Sequence, residues 1–214
     1  MTKVISLHPI TPQKHKIHVI AVAILKGQVI ASPTDTGYAL IGKMEDISII
    51  KRFQQIRDDK KNDHYTVMCN QIRTIAKYAE LNNQVFQLIK NNIPNPTVFI
   101  LPASKKIPIN ILQEKKKSSI GFRVPRHPIL QSIIAELENQ DPNQNAILSI
   151  SVDSYEESSK RYTAQYASEV IEKLSNRVDL VIDSEPCLRH HSTILDLTVK
   201  PYKQVRSGHG DINF

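Results

Sequence analysis

The sequence predicts an α/β domain, a sheet flanked by helices. Short apolar runs of strand length alternate with amphipathic helical stretches along the chain. The 214 residues suffice to bury a sizeable core and contain no segment that resembles an interdomain linker, so residues 1–214 read as one domain. Hydrophobic residues make up 40% and charged residues 23%, a globular balance that excludes global disorder. Trp is absent and aromatics are 6%, so the core must rest on Ile, Leu and Val.

The first element is a helix. Thr11-Pro12 offers an N-cap and a first-turn proline, Ile17, Ile20, Ala21 and Ile24 recur at helical spacing, and Gly27 ends it. A strand over 28–32 follows. Asp46 caps a second helix whose apolar stripe is Ile49, Ile50, Phe53 and Ile56, closed by Arg57 and a polar loop to His64. Residues 65–69 read as a strand, 71–79 and 82–92 as short helices, and 97–101 as a strand bounded by prolines. The lysine-rich 105–117 is a loop with one helical turn at most. A strand over 120–124 leads to a helix starting at Pro128, with Leu130, Ile133, Ile134 and Leu137 on one face. A strand at 146–150, a helix over about 163–175, and strands at 178–182, 193–197 and 203–206 complete the order.

The totals exclude several classes. Two distant cysteines, Cys69 and Cys187, exclude a disulfide framework and fit no metal spacing. No apolar run approaches the roughly 18 residues of a membrane helix, and the first residues carry no signal-peptide core, so no membrane partner and a cytoplasmic location are expected. Lys and Arg outnumber Asp and Glu by 28 to 21, a net charge of +7 with a pI near 9.3. That is either a solvated basic surface or an attraction for an anionic partner such as a nucleotide or RNA. There is no P-loop pattern, and six glycines form no dinucleotide-binding fingerprint.

Four strand ends run into small polar or basic residues. They are Pro33-Thr34-Asp35-Thr36, Gly121-Phe122-Arg123 with the Val124-Pro125-Arg126-His127-Pro128 that follows, Ser149-Ile150-Ser151, and Ser192-Thr193-Ile194-Leu195-Asp196. Each alone reads as a capped turn. Together they read as a polar pocket, because open α/β sheets bind ligands at strand ends. His190-His191 reads as a surface pair, and His127 as a helix-entry residue. The lysines at 105–106 and 115–117 are a solvated loop or a phosphate-backbone contact.

In this order the segments resemble the YrdC/YciO family, which includes the threonylcarbamoyl-AMP synthases of tRNA modification. Pro33 to Leu40 resembles its PT(D/E)TxYGL segment, Arg57 its Lys-x-Arg arginine, Gly121 to Pro128 its G-x-R-x-P-x-H-P, and Ser149 to Ser151 its S-x-S-A-N. Ser192 to Asp196 resembles its S-T-x-x-D and Arg206-Ser207-Gly208 its R-x-G, so about residues 15–210 are covered. Gly37, Ala39, the loop after Arg57 and the Thr66–Cys69 strand resemble the YciO branch most.

The resemblance implies a twisted mixed sheet around a basic concave cavity. It implies ATP as a substrate, magnesium with the nucleotide, and a reaction of L-threonine, bicarbonate and ATP. Nucleotide contacts would fall to Arg57, Arg123, Ser149, Ser151, Ser192 and Arg206. Amino-acid contacts would fall to Thr34, Thr36 and Cys69. No residue is an obvious nucleophile, so the chemistry would rest on positioning and charge. Three departures bear on activity: Gln55 stands at the family's lysine, Cys69 at a threonine-contacting histidine, and Asp153 at the asparagine of S-x-S-A-N. Three readings stay open: a threonylcarbamoyl-AMP synthase-like nucleotidyltransferase, a non-catalytic double-stranded RNA or tRNA-binding module, and an enzyme acting on a related modified nucleotide or tRNA.

Overall fold

The computed structural model describes residues 2–57, 65–112, 118–155, 161–188 and 190–213, without the side chains of residues 57, 153–155, 161 and 162. The described strands are β1 (Lys3–Ser6), β2 (Ile30–Thr34), β3 (Gly37–Lys43), β4 (Thr66–Cys69), β5 (Thr97–Pro102), β6 (Ser119–Arg123), β7 (Ala146–Ser151), β8 (Asp153–Tyr155), β9 (Arg161–Thr163), β10 (Leu180–Asp183), β11 (Thr193–Asp196) and β12 (Lys203–Arg206). The helices are α1 (Lys14–Leu25), α2 (Ile47–Arg57), α3 (Ile72–Tyr78), α4 (Asn83–Asn91), α5 (Pro128–Gln140) and α6 (Ala167–Leu174). Ten strands form one mixed sheet in the order β1-β10-β2-β3-β7-β4-β6-β5-β11-β12, and β8–β9 forms a separate hairpin.

Strand alternation divides the core in two. On one face, Leu40, Val67, Phe99, Phe122 and Leu148 pack with Phe53 of α2, Ile75 of α3, Ile89 of α4 and Val170 of α6. On the other, Ile30, Ile41, Met68, Ile147 and Ile182 pack beneath Ile20 and Ile24 of α1 and Ile133 and Ile134 of α5. Full burial of one such side chain contributes about 1.5–3 kcal/mol, so these two layers fix the sheet between its helices.

Several boundaries differ from the sequence expectation. Helix α1 starts at Lys14 with Gln13 at its N-cap. The reason lies upstream: His8 Nδ1 accepts from the Thr11 backbone N–H at 3.0 Å, which holds the Thr11 region in a turn. The last helix shortens to Ala167–Leu174, because Arg161–Thr163 is drawn into the β8–β9 hairpin. Strands β1 and β3 were not expected. In the lysine-rich segment a 3-10 turn forms at Ile109–Leu112, while residues 113–117 lie outside the described residues. Asp46 acts as expected, its Oδ1 accepting from the Ser48 N–H at 2.9 Å.

Candidate functional site

The α1–α5 layer covers only part of its face of the sheet. Further along, the same register turns polar. Ile41 stands opposite Ser149, Ser149 opposite Thr66, and Thr66 opposite Gly121. The neighbouring row runs from Ile147 through Met68 to Arg123. A cleft opens there, with a cavity volume of about 40 Å³ that continues into open solvent. Thr34, Thr36, Arg123, Ser149, Ser151 and Ser192 all line it, joined by Thr66, Met68, Val98 and Thr163. Residues from β2, β6, β7 and the entry to β11 thus meet on one surface, as the polar strand ends predicted.

The β2–β3 connection forms the inner end. Thr34 Oγ1 accepts from the Thr36 backbone N–H at 3.0 Å and donates to the Gly37 carbonyl at 2.7 Å. The two threonine hydroxyls lie 3.3 Å apart. The capped turn and the inner end of the cleft are therefore the same structure. Gly37 has φ +108°, and a Cβ there would meet Thr163 Oγ1 at 2.3 Å. Only glycine lets the hairpin arm approach so closely. Thr163 Oγ1 donates to the Thr36 carbonyl at 2.7 Å, which fastens β9 to the floor.

Arg123 is 4% exposed. Its Nη1 donates to Thr36 Oγ1 at 3.0 Å, and its Nη2 pairs with Asp35 Oδ1. Asp35 Oδ2 accepts from the Arg126 backbone N–H at 3.0 Å. Burial pulls the Arg123 pKa down and Asp35 opposes that shift. Arg123 Nε is buried with no hydrogen-bond partner among the described residues. At the other end, Arg206 donates through Nε to the Ser192 carbonyl at 2.9 Å and through Nη2 to Ser192 Oγ at 2.8 Å. Ser149 Oγ donates to the Thr66 carbonyl at 2.9 Å.

Two expected site residues stand differently. Cys69 follows Met68 by one position on β4, so it points to the opposite face and packs in the α2–α4 core. Its thiol is fully buried, donates to the Gln71 carbonyl at 3.5 Å, and is pushed up to about 12 by burial. It does not line the cleft. Arg206 reaches the cleft through Ser192. Gln55 is exposed on α2, and its carbonyl accepts from Arg177 at 2.5 Å. The Arg57 side chain, the Asp153 side chain and the lysines at 115–117 lie outside the described residues. The sequence reading missed Asp35, although it is the carboxylate between the two threonines, and Thr163, which no local pattern marks.

The Sua5/YciO/YrdC family model, described as telomere recombination, matches residues 22–208. The chain is 34% identical to the uncharacterized protein YciO of Escherichia coli, covering 99% of this chain and 98% of that one. The E. coli YciO crystal structure superposes with a TM-score of 0.87 at 33% identity, over 99% of this chain and 98% of that chain. Pyrococcus abyssi Sua5 complexed with L-threonine has a TM-score of 0.84 at 23% identity, over 97% of this chain and 58% of that chain. A putative threonylcarbamoyl-AMP synthase of Methanocaldococcus jannaschii is 22% identical, over 96% of this chain and 93% of that one. With four of its motif segments lining one cleft and a family match over residues 22–208, the chain belongs to the Sua5/YciO/YrdC family.

Proposed function

We propose that the cleft binds L-threonine and ATP and that the chain forms threonylcarbamoyl-AMP for tRNA modification. The observation that carries this reading is the meeting of Thr34, Thr36, Arg123, Ser149, Ser151 and Ser192 on one uncovered patch of sheet. L-threonine, bicarbonate and ATP would give the carbamoyl-adenylate, pyrophosphate and water. The Thr34–Thr36 floor would hold the amino acid. Ser149, Ser151 and Ser192 would donate to phosphate oxygens, with Arg206 and Arg57 supplying positive charge. Magnesium would enter bound to the nucleotide phosphates. The L-threonine held by the Pyrococcus relative supports an amino-acid site in this fold.

Rate enhancement would come from alignment of the carbamate with the α-phosphorus and from hydrogen bonds to the departing pyrophosphate. The test is direct. The pure protein is incubated with all three substrates, and pyrophosphate and the adenylate are measured. Both products are expected, each dependent on all three substrates. If neither forms while threonine and ATP bind, synthase chemistry is ruled out.

Exposed Gln55 at the family's lysine position, and Cys69 turned away from the cleft, favour a second reading. In it the chain is a tRNA or double-stranded RNA-binding protein of the YciO branch.

A further inference from the structure

We propose that the segment after β12, residues 207–213, is a strap that seats the Ser192 entry to β11 through the buried hydroxyl of Thr193, so that filling the cleft and docking the strap reinforce each other. Thr193 does not line the cleft and is a positioning residue for the ligand held there. This rests on the amino-acid and nucleotide reading above and deepens it.

A hydroxyl has one proton to donate and two lone pairs to accept with, and Thr193 Oγ1 uses all three on the strap. It donates to the Gly210 carbonyl at 2.7 Å and accepts from the Gly208 and Gly210 backbone N–H groups, each at 3.1 Å. Thr193 is buried, so water competes weakly for these bonds. The rest of the strap is tied as closely. The His209 N–H donates to the His191 carbonyl at 2.9 Å, and the His209 ring stacks on that of His190 with centroids 5.0 Å apart. Buried Asn95 donates through Nδ2 to the Asp211 carbonyl at 2.8 Å. Buried Asn92 donates to the Asn213 carbonyl at 2.9 Å and accepts from the Asn213 N–H at 2.8 Å. Ile212 packs against the α2–α4 core.

None of residues 207–213 lines the cleft, yet the strap bears on two segments that do. A Cβ on Gly208 would meet the His191 carbonyl oxygen at 2.3 Å and the Ser192 carbonyl carbon at 2.5 Å. The strap therefore lies flush against the backbone that carries Ser192 into the cleft. Asn95 also donates its backbone N–H to the Val124 carbonyl at 3.0 Å, one residue beyond Arg123. Valine has nearly the shape of threonine, so packing alone does not call for a hydroxyl at position 193; the strap's backbone groups do. Two states follow, one with the strap docked and Ser192 seated, the other with both released. A ligand held by Ser192 binds the docked state better, and by linkage it tightens the strap by the same factor.

Two measurements test this: hydrogen exchange of the Gly208, His209 and Gly210 amides with and without ATP and excess L-threonine, and calorimetry of ATP binding under excess L-threonine. In the parent protein the ligands should slow exchange of these amides about tenfold, although the amides lie outside the cleft lining. Thr193→Val should weaken ATP binding about tenfold, and Thr193→Ser, which keeps the hydroxyl, should stay within about threefold of the parent. A merely structural role would leave the exchange unmoved by ligand and let folded Thr193→Val bind ATP as the parent does. Parent protein that binds ATP while either result fails overturns the inference alone. Should Thr193→Val fail to fold by circular dichroism, Asn92→Ala takes its place. It frees the far end of the strap at Asn213 and should weaken ATP binding about threefold, and unchanged binding overturns the inference. Parent protein that binds neither ligand overturns the functional reading and the inference with it.

Discussion

At the residue scale, the cleft floor depends on a backbone that only glycine tolerates. Gly37 sits at φ +108°, and any Cβ would collide with Thr163 Oγ1 and approach the Ala164 carbonyl at 3.0 Å. Gly37→Ala should therefore cost about 1–3 kcal/mol, from left-handed strain together with displacement of Thr163. Because Thr163 holds the Thr36 carbonyl, threonine affinity should fall with stability. Urea unfolding followed by threonine calorimetry checks both; an unchanged urea midpoint contradicts the proposed strain. Much of this site was legible, since hydroxyls clustered at strand ends signal themselves locally. Thr163 was not, because its role exists only once a hairpin distant in sequence folds back on Gly37. Cys69 misled for a related reason: a motif position gives the strand but not the face, and one residue of register separates cleft from core.

At the element scale, α5 ties the cleft to the α1 layer. Its N-cap, His127, has an extended backbone and makes no side-chain capping bond. The ring Nδ1 is buried without a partner among the described residues. Burial lowers the His127 pKa, Asp35 opposes the shift, and Arg123 adds to it. The sign follows from proton uptake. A histidine held below its ordinary 6.5 binds protons less readily in the folded chain than in the unfolded one. Its contribution is thus intact above about pH 6.5 and is lost as pH falls toward the folded value. His127→Gln should flatten the fall in melting temperature between about pH 7 and pH 5. Parallel melting curves for the two proteins across that range would contradict it. Helices with a clear apolar stripe, such as α2 and α5, were readable from spacing alone. Strand β1 was not, because only Ile5 of its four residues is buried and the edge carries little pattern. Strand β3 hid for the opposite reason: six of its seven residues are buried, so no alternation marks it.

At the scale of the whole molecule, charge separates the two functional readings. The net charge of +7 attracts polyanions in general. The charge at the inner end of the cleft, however, is cancelled by the Asp35–Arg123 pair. On the proposed function, long-range attraction would therefore come from the exposed lysines and arginines, and ligand selection from short-range donors. These respond differently to salt. Contacts to a nucleic-acid backbone release counterions, so each weakens association as salt rises. Threonine carries no net charge at neutral pH and should hardly respond. Binding of tRNA is expected to fall by at least about tenfold between about 50 and 200 mM salt, while threonine affinity stays nearly constant. Fluorescence anisotropy of labelled tRNA and threonine calorimetry across that range make the comparison. Saturating ATP with threonine should leave tRNA association unchanged if the surface charges alone recruit it. Loss of tRNA binding on filling the cleft would instead put the nucleic acid in the cleft itself and favour the RNA-binding reading over the synthase.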